Sequence, residues 1–515
     1  MEHPQIRDRR RAALAVLCLS LVVIAMDNTI LNVALPTLAR ELVASGSELQ
    51  WTVDAYVLVF AGLLLSMGSL GDRFGRRLML QLGLVIFGLG SLGSALAASA
   101  TVLIAMRAVM GVGAALIMPS TLSIITNVFT DARERGRAIG AWAGVAGFGI
   151  VLGPVIGGWL LEDFWWGSVF MVNLPVVVVA LGLGMFLVPE SRDPMATPLD
   201  PTGALLSIAA LTALVYGIIE APGRGWTDGL ILACFGAALV LTVAFIGWEF
   251  RAPHPMLQIG FFRDLRFAMG AASIMLVFFA LLGGIFVLTQ YLQFVLGYSP
   301  LEAGLRVTPV GAVIIGAPLG SRLVERIGSK VVVAGGMVLV AAALTLLSFA
   351  DQATEYWVIA TALAMFGFGM GATTAPATEC VMGSLPLAKA GVGSAMNDTT
   401  RLVGAALGVA VVGSVLSSLY SSSVEAATVG LPVTVAAAAG DSIGSALGVS
   451  AGLGAAGVSL AEAARAAFID GMSGGMLTAA AVALVGTVLV SLFLPAGASR
   501  VEGHETERAG LGSAS

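Results

Sequence analysis

Gly68 to Arg77, GSLGDRFGRR, is the stretch that decides the fold of this chain. A second stretch, LVERIGSK at residues 323–330, repeats its order of acid, arginine, apolar residue, glycine, any residue and cation, 253 residues further on. Each copy separates two long apolar runs, so each predicts a short turn whose glycine ends a helix and whose cations stay outside lipid. A repeated helix–turn–helix half a chain apart predicts a membrane protein built from two related halves.

The composition independently indicates a membrane protein. Hydrophobic residues make up 58% of the 515 residues, charged residues only 11%, and the mean hydropathy is +0.96. Such a chain is not typical of a soluble globular domain. The three cysteines all lie inside apolar runs, which favours packing over a disulfide framework.

Fourteen apolar runs have about the 20-residue length that a helix needs to cross roughly 30 Å of hydrocarbon. The predicted spans are 13–35, 51–71, 78–98, 102–126, 137–160, 167–188, 201–220, 229–248, 268–292, 303–323, 331–349, 356–382, 395–418 and 471–494. With the N-terminus in the cytoplasm, twenty of the 26 Lys and Arg residues fall on the cytoplasmic side and four on the other. The positive-inside rule therefore predicts that both termini are cytoplasmic.

The repeat predicts an all-α arrangement of six, two and six spans. The two hairpins occupy equivalent positions only if the pair 201–220 and 229–248 is inserted between two six-helix bundles. The predicted domains are the first bundle at 13–188, the linkers and inserted pair at 189–267, the second bundle at 268–494, and a cytoplasmic tail at 495–515. Within the second bundle, 419–470 is predicted to be an extracellular loop, either flexible or folded into a small helical hairpin.

Asp27, Asp54 and Arg107 are charged residues within the predicted spans of the first half. A charge at such depth is costly, so Asp27 is expected to face a water-filled cavity, to carry a proton or to pair with a cation. Arg107 is the natural partner, and protonation of Asp27 would then release Arg107. The alternative is that Asp27 only fixes helix packing through a neighbouring asparagine. Asp54 lies nearer the outer end of the second span, where an interfacial role competes with a functional one.

The fifth span contains a row of glycines. Gly149, Gly153 and Gly157 recur every fourth residue, so they lie on one flank of the helix and allow another helix to approach closely. Pro154 and Gly158 add a kink and further room. Close packing is the ordinary meaning of such a pattern.

Other function classes lack their sequence signatures. The three histidines and three cysteines show neither metal-ligand spacing nor a catalytic dyad, and no GxxxxGK[ST] loop is present. An enzyme, a metal site, an ATP-driven pump and a nucleic-acid partner are therefore not expected. A channel or a non-transporting sensor remains as an alternative from another class.

Four motifs of the first half and two stretches of the second half resemble the major facilitator superfamily, and specifically its fourteen-span drug:proton antiporter branch. They are MDNTILNVALP (26–36), GSLGDRFGRR, LIAMRAVMGVGAA around Arg107, GIVLGPVIGGW, and the second-half stretches 288–304 and 389–416. The resemblance runs from residue 13 to 494. Met110 departs from it, because many members carry glutamine there, and Ser329 replaces the arginine of the first hairpin.

The resemblance implies a monomeric bacterial inner-membrane exporter that works by alternating access, with the proton gradient as its energy source and no cofactor. Conformational motifs would be Gly68, Asp72, Arg73, Gly75 and Arg77 in the hairpin, together with the glycines and Pro154 of the fifth span. Asp72 and Arg73 would close the cytoplasmic side through charge contacts between the bundles.

Proton coupling would involve Asp27, Arg107, Asp398 and Glu379. Arg401 is close enough in sequence to neutralise Asp398, so a structural ion pair is the alternative there. Substrate contacts would come from six side chains. They are Asp27, Asp54, Glu379, Tyr56, Gln290 and Gln293. For the two glutamines among them, a packing role at a helix interface is the alternative.

The excess of acids over arginines within the spans favours lipophilic cations as drug substrates. Quaternary ammonium compounds, cationic dyes and biguanides fit this charge, and aromatic and methionine side chains would supply adaptable contacts. The alternative is an exporter dedicated to one neutral or weakly charged antibiotic or metabolite.

Overall fold

The computed structural model describes residues 4–129, 131–192, 200–385 and 390–495. Within these residues, fourteen helices are long and apolar enough to cross a membrane. The first half and the inserted pair comprise α1 (Pro4–Glu41), α2 (Gly46–Phe74), α3 (Arg76–Ala95), α4 (Ala100–Val128), α5 (Ala132–Asp163), α6 (Ser168–Leu187), α7 (Pro201–Arg224) and α8 (Gly229–Glu249).

The second half begins with α9, which has a π-helical last turn at Tyr291–Val295. Its spans are α9 (Leu265–Val295), α10 (Pro300–Ile327), α11 (Ser329–Ser348), α12 (Tyr356–Gly383), α13 (Ala390–Thr428) and α16 (Ala455–Phe493). Two short helices, α14 (Val433–Asp441) and α15 (Ile443–Ser450), connect α13 to α16.

The last two spans are longer than their apolar runs. Helix α13 continues to Thr428 and α16 begins at Ala455, so only 429–454, which contains α14 and α15, separates the two spans. The sequence predicts a loop at 419–470 because serine, alanine and charged residues end the apolar run, but helix propensity continues beyond it. The predicted tail at 495–515 lies, except for its first residue, outside the described residues.

The two repeated hairpins turn at equivalent glycines. Gly75 has φ +119° and Gly328 has φ +83°, a region that residues with a Cβ rarely adopt. Both turns lie at one end of the helical bundle, which we call the hairpin end. The opposite end, which carries α14 and α15, is called the loop end.

Of the predicted inserted pair, α7 packs between α2 and α13. The indole N–H of Trp51 in α2 donates to Glu220 of α7 at 3.1 Å, and the hydroxyl of Ser414 in α13 donates to the Ile218 carbonyl of α7 at 2.6 Å. A Cβ at Gly62 of α2 would overlap the Ile208 side chain. Thus α7 is bonded to both halves.

The halves meet at the loop end, whereas α5 has open space beside it toward the hairpin end. Gly158 of α5 contacts Leu301 of α10, and Gln293 of α9 donates to the Val33 carbonyl of α1 at 2.9 Å. Toward the hairpin end, α5 has glycines at 136, 140, 144 and 147, and no described atom of another element lies within 4 Å of a Cβ built there. Phe148 on the same helix is 58% exposed.

Candidate functional site

Asp27 and Arg107 form an ion pair in the middle of the first half. Arg107 Nη1 lies 2.5 Å from Asp27 Oδ2, and the two side chains are 1% and 0% exposed. The guanidinium also donates from Nε to the Thr52 carbonyl at 3.1 Å, and its carbon lies 4.3 Å from the centre of the Tyr56 ring. The arginine therefore joins α4 to both α1 and α2, and its charge has the partners that such a depth requires.

A chain of polar side chains continues from the other oxygen of this carboxylate. Asn173 Nδ2 lies 3.4 Å from Asp27 Oδ1 and 3.1 Å from Ser91 Oγ. Ser91 in turn donates to the Phe170 carbonyl at 2.8 Å. Sequence reasoning missed Asn173 and Ser91, although an asparagine within the apolar stretch that becomes α6 was a visible signal.

Asp54 lies in α2 two residues before Tyr56 but in a different environment. Its side chain is 0% exposed, and neither carboxylate oxygen has a hydrogen-bond donor among the described residues. Asp54 is therefore enclosed by the surrounding helices. A buried carboxylate without a donor is costly when ionised, and a proton or a cation brought to it would remove most of that cost.

The glycine row of α5 packs directly on the α1 segment that carries Asp27. A Cβ at Gly149 would lie 2.7 Å from Ala25 Cβ, and one at Gly153 would overlap the hydroxyl of Thr29. The same hydroxyl lies 3.4 Å from the Gly149 carbonyl. Gly157 continues the contact against Ile30, so the row holds α5 against the buried ion pair.

Pro154 and Gly158 of α5 contact the second half. Gly158 lies against the backbone of Pro300 and Leu301 at the start of α10. Gly304, one turn further along α10, lies against the Pro154 carbonyl. These contacts close the loop end.

Among the described residues, the charged hairpin makes its ion pairs within its own half, whereas Asp72 and Arg73 were expected to contact the other half. Asp72 pairs with Arg76 at 2.8 Å, and Arg73 lies over the ring of Phe74. Arg77 pairs with Glu190 just after α6, at 3.8 Å. Gly68 sits deeper, against Pro119 of α4.

In the second half, Asp398 pairs with Arg401 at 3.6 Å, which is the structural alternative left open for it. The guanidinium of Arg401 also lies over the Phe278 ring of α9. Glu379 is exposed on α12, and among the described residues it forms no ion pair. The structure does not bring either acid together with Asp27.

The two glutamines of α9 lie at the loop end. Gln290 donates to the Phe286 carbonyl of its own helix at 3.0 Å. It also lines a small cavity of about 20 Å³ together with Gln50 and Tyr420. Gln293 bonds to α1, so it contributes to the contact between the halves.

Comparison with known proteins agrees with this architecture. The model of the Major Facilitator Superfamily matches residues 17–409. In the fold comparison, a bacterial homologue of the human lysosomal transporter Spinster, solved in an inward-facing and unoccupied conformation, superposes with a TM-score of 0.68. It shares 19% identity, and the match covers 97% of this chain and 100% of that one.

Several relatives carry names that refer to drug resistance. The multidrug efflux pump LfrA of Mycolicibacterium smegmatis is 40% identical, over 93% of this chain and 96% of its own. The methyl viologen resistance protein SmvA of Salmonella typhimurium is 36% identical, over 79% and 83%. The tetracenomycin C resistance and export protein of Streptomyces glaucescens is 31% identical, over 95% and 92%.

The family match over most of the chain, the near-complete alignment with LfrA and the fourteen apolar helices agree with one another. These findings indicate a membrane transporter rather than an enzyme or a soluble protein. The chain is a multi-pass membrane protein and belongs to the major facilitator superfamily of transporters.

Proposed function

We propose that this protein exports drugs in exchange for protons, by alternating access between its two halves. The observation that carries the proposal is the fully buried Asp27–Arg107 pair, because an acid in contact with a base can bind a proton by giving up that contact. The names of LfrA and SmvA support drugs as the cargo.

Closure at one end supports the alternating-access part of the proposal. The halves pack through Gly158 and Leu301 at the loop end and leave α5 open at the hairpin end. If the hairpin end is cytoplasmic, as the cation distribution predicts, this is the state that receives substrate from the cell. The opposite state requires the α5–α10 contact to separate.

Asp27 would transmit protonation to the helices through Arg107. The guanidinium holds α1 through the Asp27 carboxylate and α2 through the Thr52 carbonyl. A proton on Asp27 would remove the charge attraction to α1, while the Thr52 and Tyr56 contacts on α2 would persist. Asp27 is fully buried in this state, so a proton would reach it in the opposite state, in which the α5–α10 contact has separated.

Asp54 would supply the negative charge that selects the cargo. Arg107 compensates Asp27 and Arg401 compensates Asp398, whereas Asp54 has no compensating donor among the described residues. A lipophilic cation would stabilise this carboxylate, and so would a proton, which makes the two ligands mutually exclusive there. Such competition is the simplest basis for exchange.

Lipophilic cations are therefore the substrate class we propose. SmvA confers resistance, by its name, to methyl viologen, which is a flat aromatic dication. The second candidate, a neutral antibiotic, is favoured by the likeness to the tetracenomycin C export protein. A comparison of methyl viologen with tetracenomycin C as competitors of dye export separates the two.

The test uses energised everted membrane vesicles with ethidium as the substrate and a fluorescent dye that reports the pH gradient. We expect addition of ethidium to dissipate part of the gradient with the wild-type protein, and we expect an uncoupler to abolish uptake. Asp27→Asn should lose both signals, whereas Asp470→Asn, a change at an exposed residue of α16, should keep them.

Three outcomes would contradict the proposal. Uptake that continues at full rate after the uncoupler would indicate a channel. Folded wild-type protein that transports no drug at all would indicate a sensor. Proton-coupled ethidium uptake by Asp27→Asn at the wild-type rate would show that the coupling does not depend on Asp27.

A further inference from the structure

A second cavity, of about 470 Å³, opens at the loop end away from the Asp27 pair. Its walls come from both halves: Arg40 lies in the last turn of α1, residues 293–297 include and follow the end of the π turn of α9, and Leu447 and Arg465 belong to α15 and α16. Gln352, between α11 and α12, completes the lining. This volume is within the range of pockets that hold small molecules.

Two arginines line this cavity without a carboxylate partner. Among the described residues, neither Arg40 nor Arg465 forms an ion pair. Arg40 donates from Nε to the Pro36 carbonyl and lies 5.7 Å from the centre of the Phe294 ring, while Arg465 donates from Nε to the Phe294 carbonyl. Because each arginine uses Nε for these bonds, its terminal nitrogens remain to bind a ligand.

A third polar group at the cavity has an open hydrogen-bonding position. Gln293 is 8% exposed, and its amide nitrogen donates to Val33 of α1. Its amide oxygen is buried without a donor among the described residues. A ligand, or a water bound with it, would supply the missing donor, since buried polar groups are normally satisfied.

We propose that this cavity binds a phosphate-bearing anion between Arg40 of the first half and Arg465 of the second. Each guanidinium presents a planar fork that matches the oxygens of such an anion. A tetrahedral phosphate offers oxygens in several directions and can serve two forks from different helices, whereas a carboxylate presents its two oxygens in one plane. The phosphate comes either from a lipid headgroup or from a soluble phosphate compound.

This site goes beyond the proposed function, because it lies apart from Asp27 and Asp54 and takes the opposite charge. An anion held by α1, α9 and α16 would bridge the halves at the end where they already touch. It would therefore stabilise the conformation that is closed at the loop end, and it would slow the transition that opens this end.

The test measures binding directly, so it does not depend on transport. Equilibrium dialysis with radiolabelled inorganic phosphate tests the soluble source on purified protein in neutral detergent. Native mass spectrometry of protein extracted from mixed phosphatidylglycerol and phosphatidylcholine bilayers tests the lipid source. The variants are Arg40→Gln and Arg465→Gln, with Arg224→Gln as the matched control, since Arg224 is at the loop end of α7 but outside the cavity.

We expect one phosphate source to bind wild type and Arg224→Gln equally, and at least tenfold more weakly to each cavity variant. Saturable inorganic phosphate would identify a soluble ligand, and selective retention of phosphatidylglycerol would identify a lipid. Equal binding by all variants, or no binding of either probe to wild type, would overturn the proposal. If Arg465→Gln does not fold, Arg40→Gln and the charge-retaining Arg40→Lys still decide the question.

Discussion

Gly158 of α5 lies so close to Leu301 of α10 that a Cβ at position 158 would come within 2.5 Å of the leucine Cα. The atoms that this Cβ would meet belong to the backbone of α10, so a methyl group has no flexible neighbour to displace. We expect Gly158→Ala to destabilise the closed loop end by about 1–3 kcal/mol, which shifts the ratio of the two states by roughly 5- to 150-fold. Accessibility of a cysteine label at the loop end measures this shift.

A matched control is available at Gly182 in α6. No atom of another element lies within 4 Å of a Cβ built there among the described residues, so Gly182→Ala should leave label accessibility unchanged. If Gly158→Ala behaves like Gly182→Ala, the contact between α5 and α10 does not determine the closed state.

Removal of one partner of the buried ion pair should destabilise the folded protein more than removal of both partners. Arg107→Gln leaves the Asp27 carboxylate buried without its cation, and we expect a loss of about 3–5 kcal/mol of stability. The double change Asp27→Asn with Arg107→Gln should be less destabilising than Arg107→Gln alone. Unfolding of the purified protein in detergent measures all the variants of this cycle, and strictly additive effects would contradict the coupling.

The pair Asp398–Arg401 should behave differently, because Arg401 is about a third exposed. Solvent weakens such a pair, so we expect Asp398→Asn to change stability by about 1 kcal/mol or less. If the pair is structural, Asp398→Asn with Arg401→Gln should transport as well as Asp398→Asn. A complete loss of proton coupling in Asp398→Asn, with ethidium binding retained, would instead make Asp398 a proton site.

Asp441, at the end of α14, gives a pH-dependent prediction. Burial raises the pKa of its carboxyl and the neighbouring Glu48 raises it further, while a hydrogen bond with the backbone of Gly46 opposes both. A carboxyl with a raised pKa in the folded state binds its proton more tightly there than in the unfolded chain. Stability therefore falls as the pH rises through that range, and the loss persists at neutral pH.

We accordingly expect Asp441→Asn to raise the melting temperature at pH 7.5, with a gain that narrows as the pH falls toward roughly 4. The residue as a whole is exposed, so solvent keeps the effect small. Asp470→Asn on α16, which removes one carboxylate from an exposed position, is the control for the change in net charge. A gain for Asp441→Asn that does not change with pH would exclude proton linkage as its cause.

Hydropathy and glycine placement predicted most of the fold. The fourteen apolar runs correspond to the fourteen long helices, and Gly75 and Gly328 end helices where the repeat predicts a turn. Asp27 and Arg107 could be matched from the sequence alone, since two opposite charges at such depth have few other ways to be stabilised.

Sequence could not give contacts that depend on the conformational state. Asp72 was expected to reach the other half, but in this state it pairs with Arg76, four residues away. The same limit applies to Asp54, because its depth and lack of a donor follow from how α2 packs rather than from its position in an apolar run. The six-two-six division remains a prediction, as do the roles of the site residues.

The two bonds of α7, from Trp51 to Glu220 and from Ser414 to Ile218, connect it to opposite halves of the molecule. Rocking of those halves, the motion we propose, would have to strain or break one of these bonds in every turnover. Helix α7 would then help to set the height of the barrier between the two states, and thus the rate of the proposed exchange.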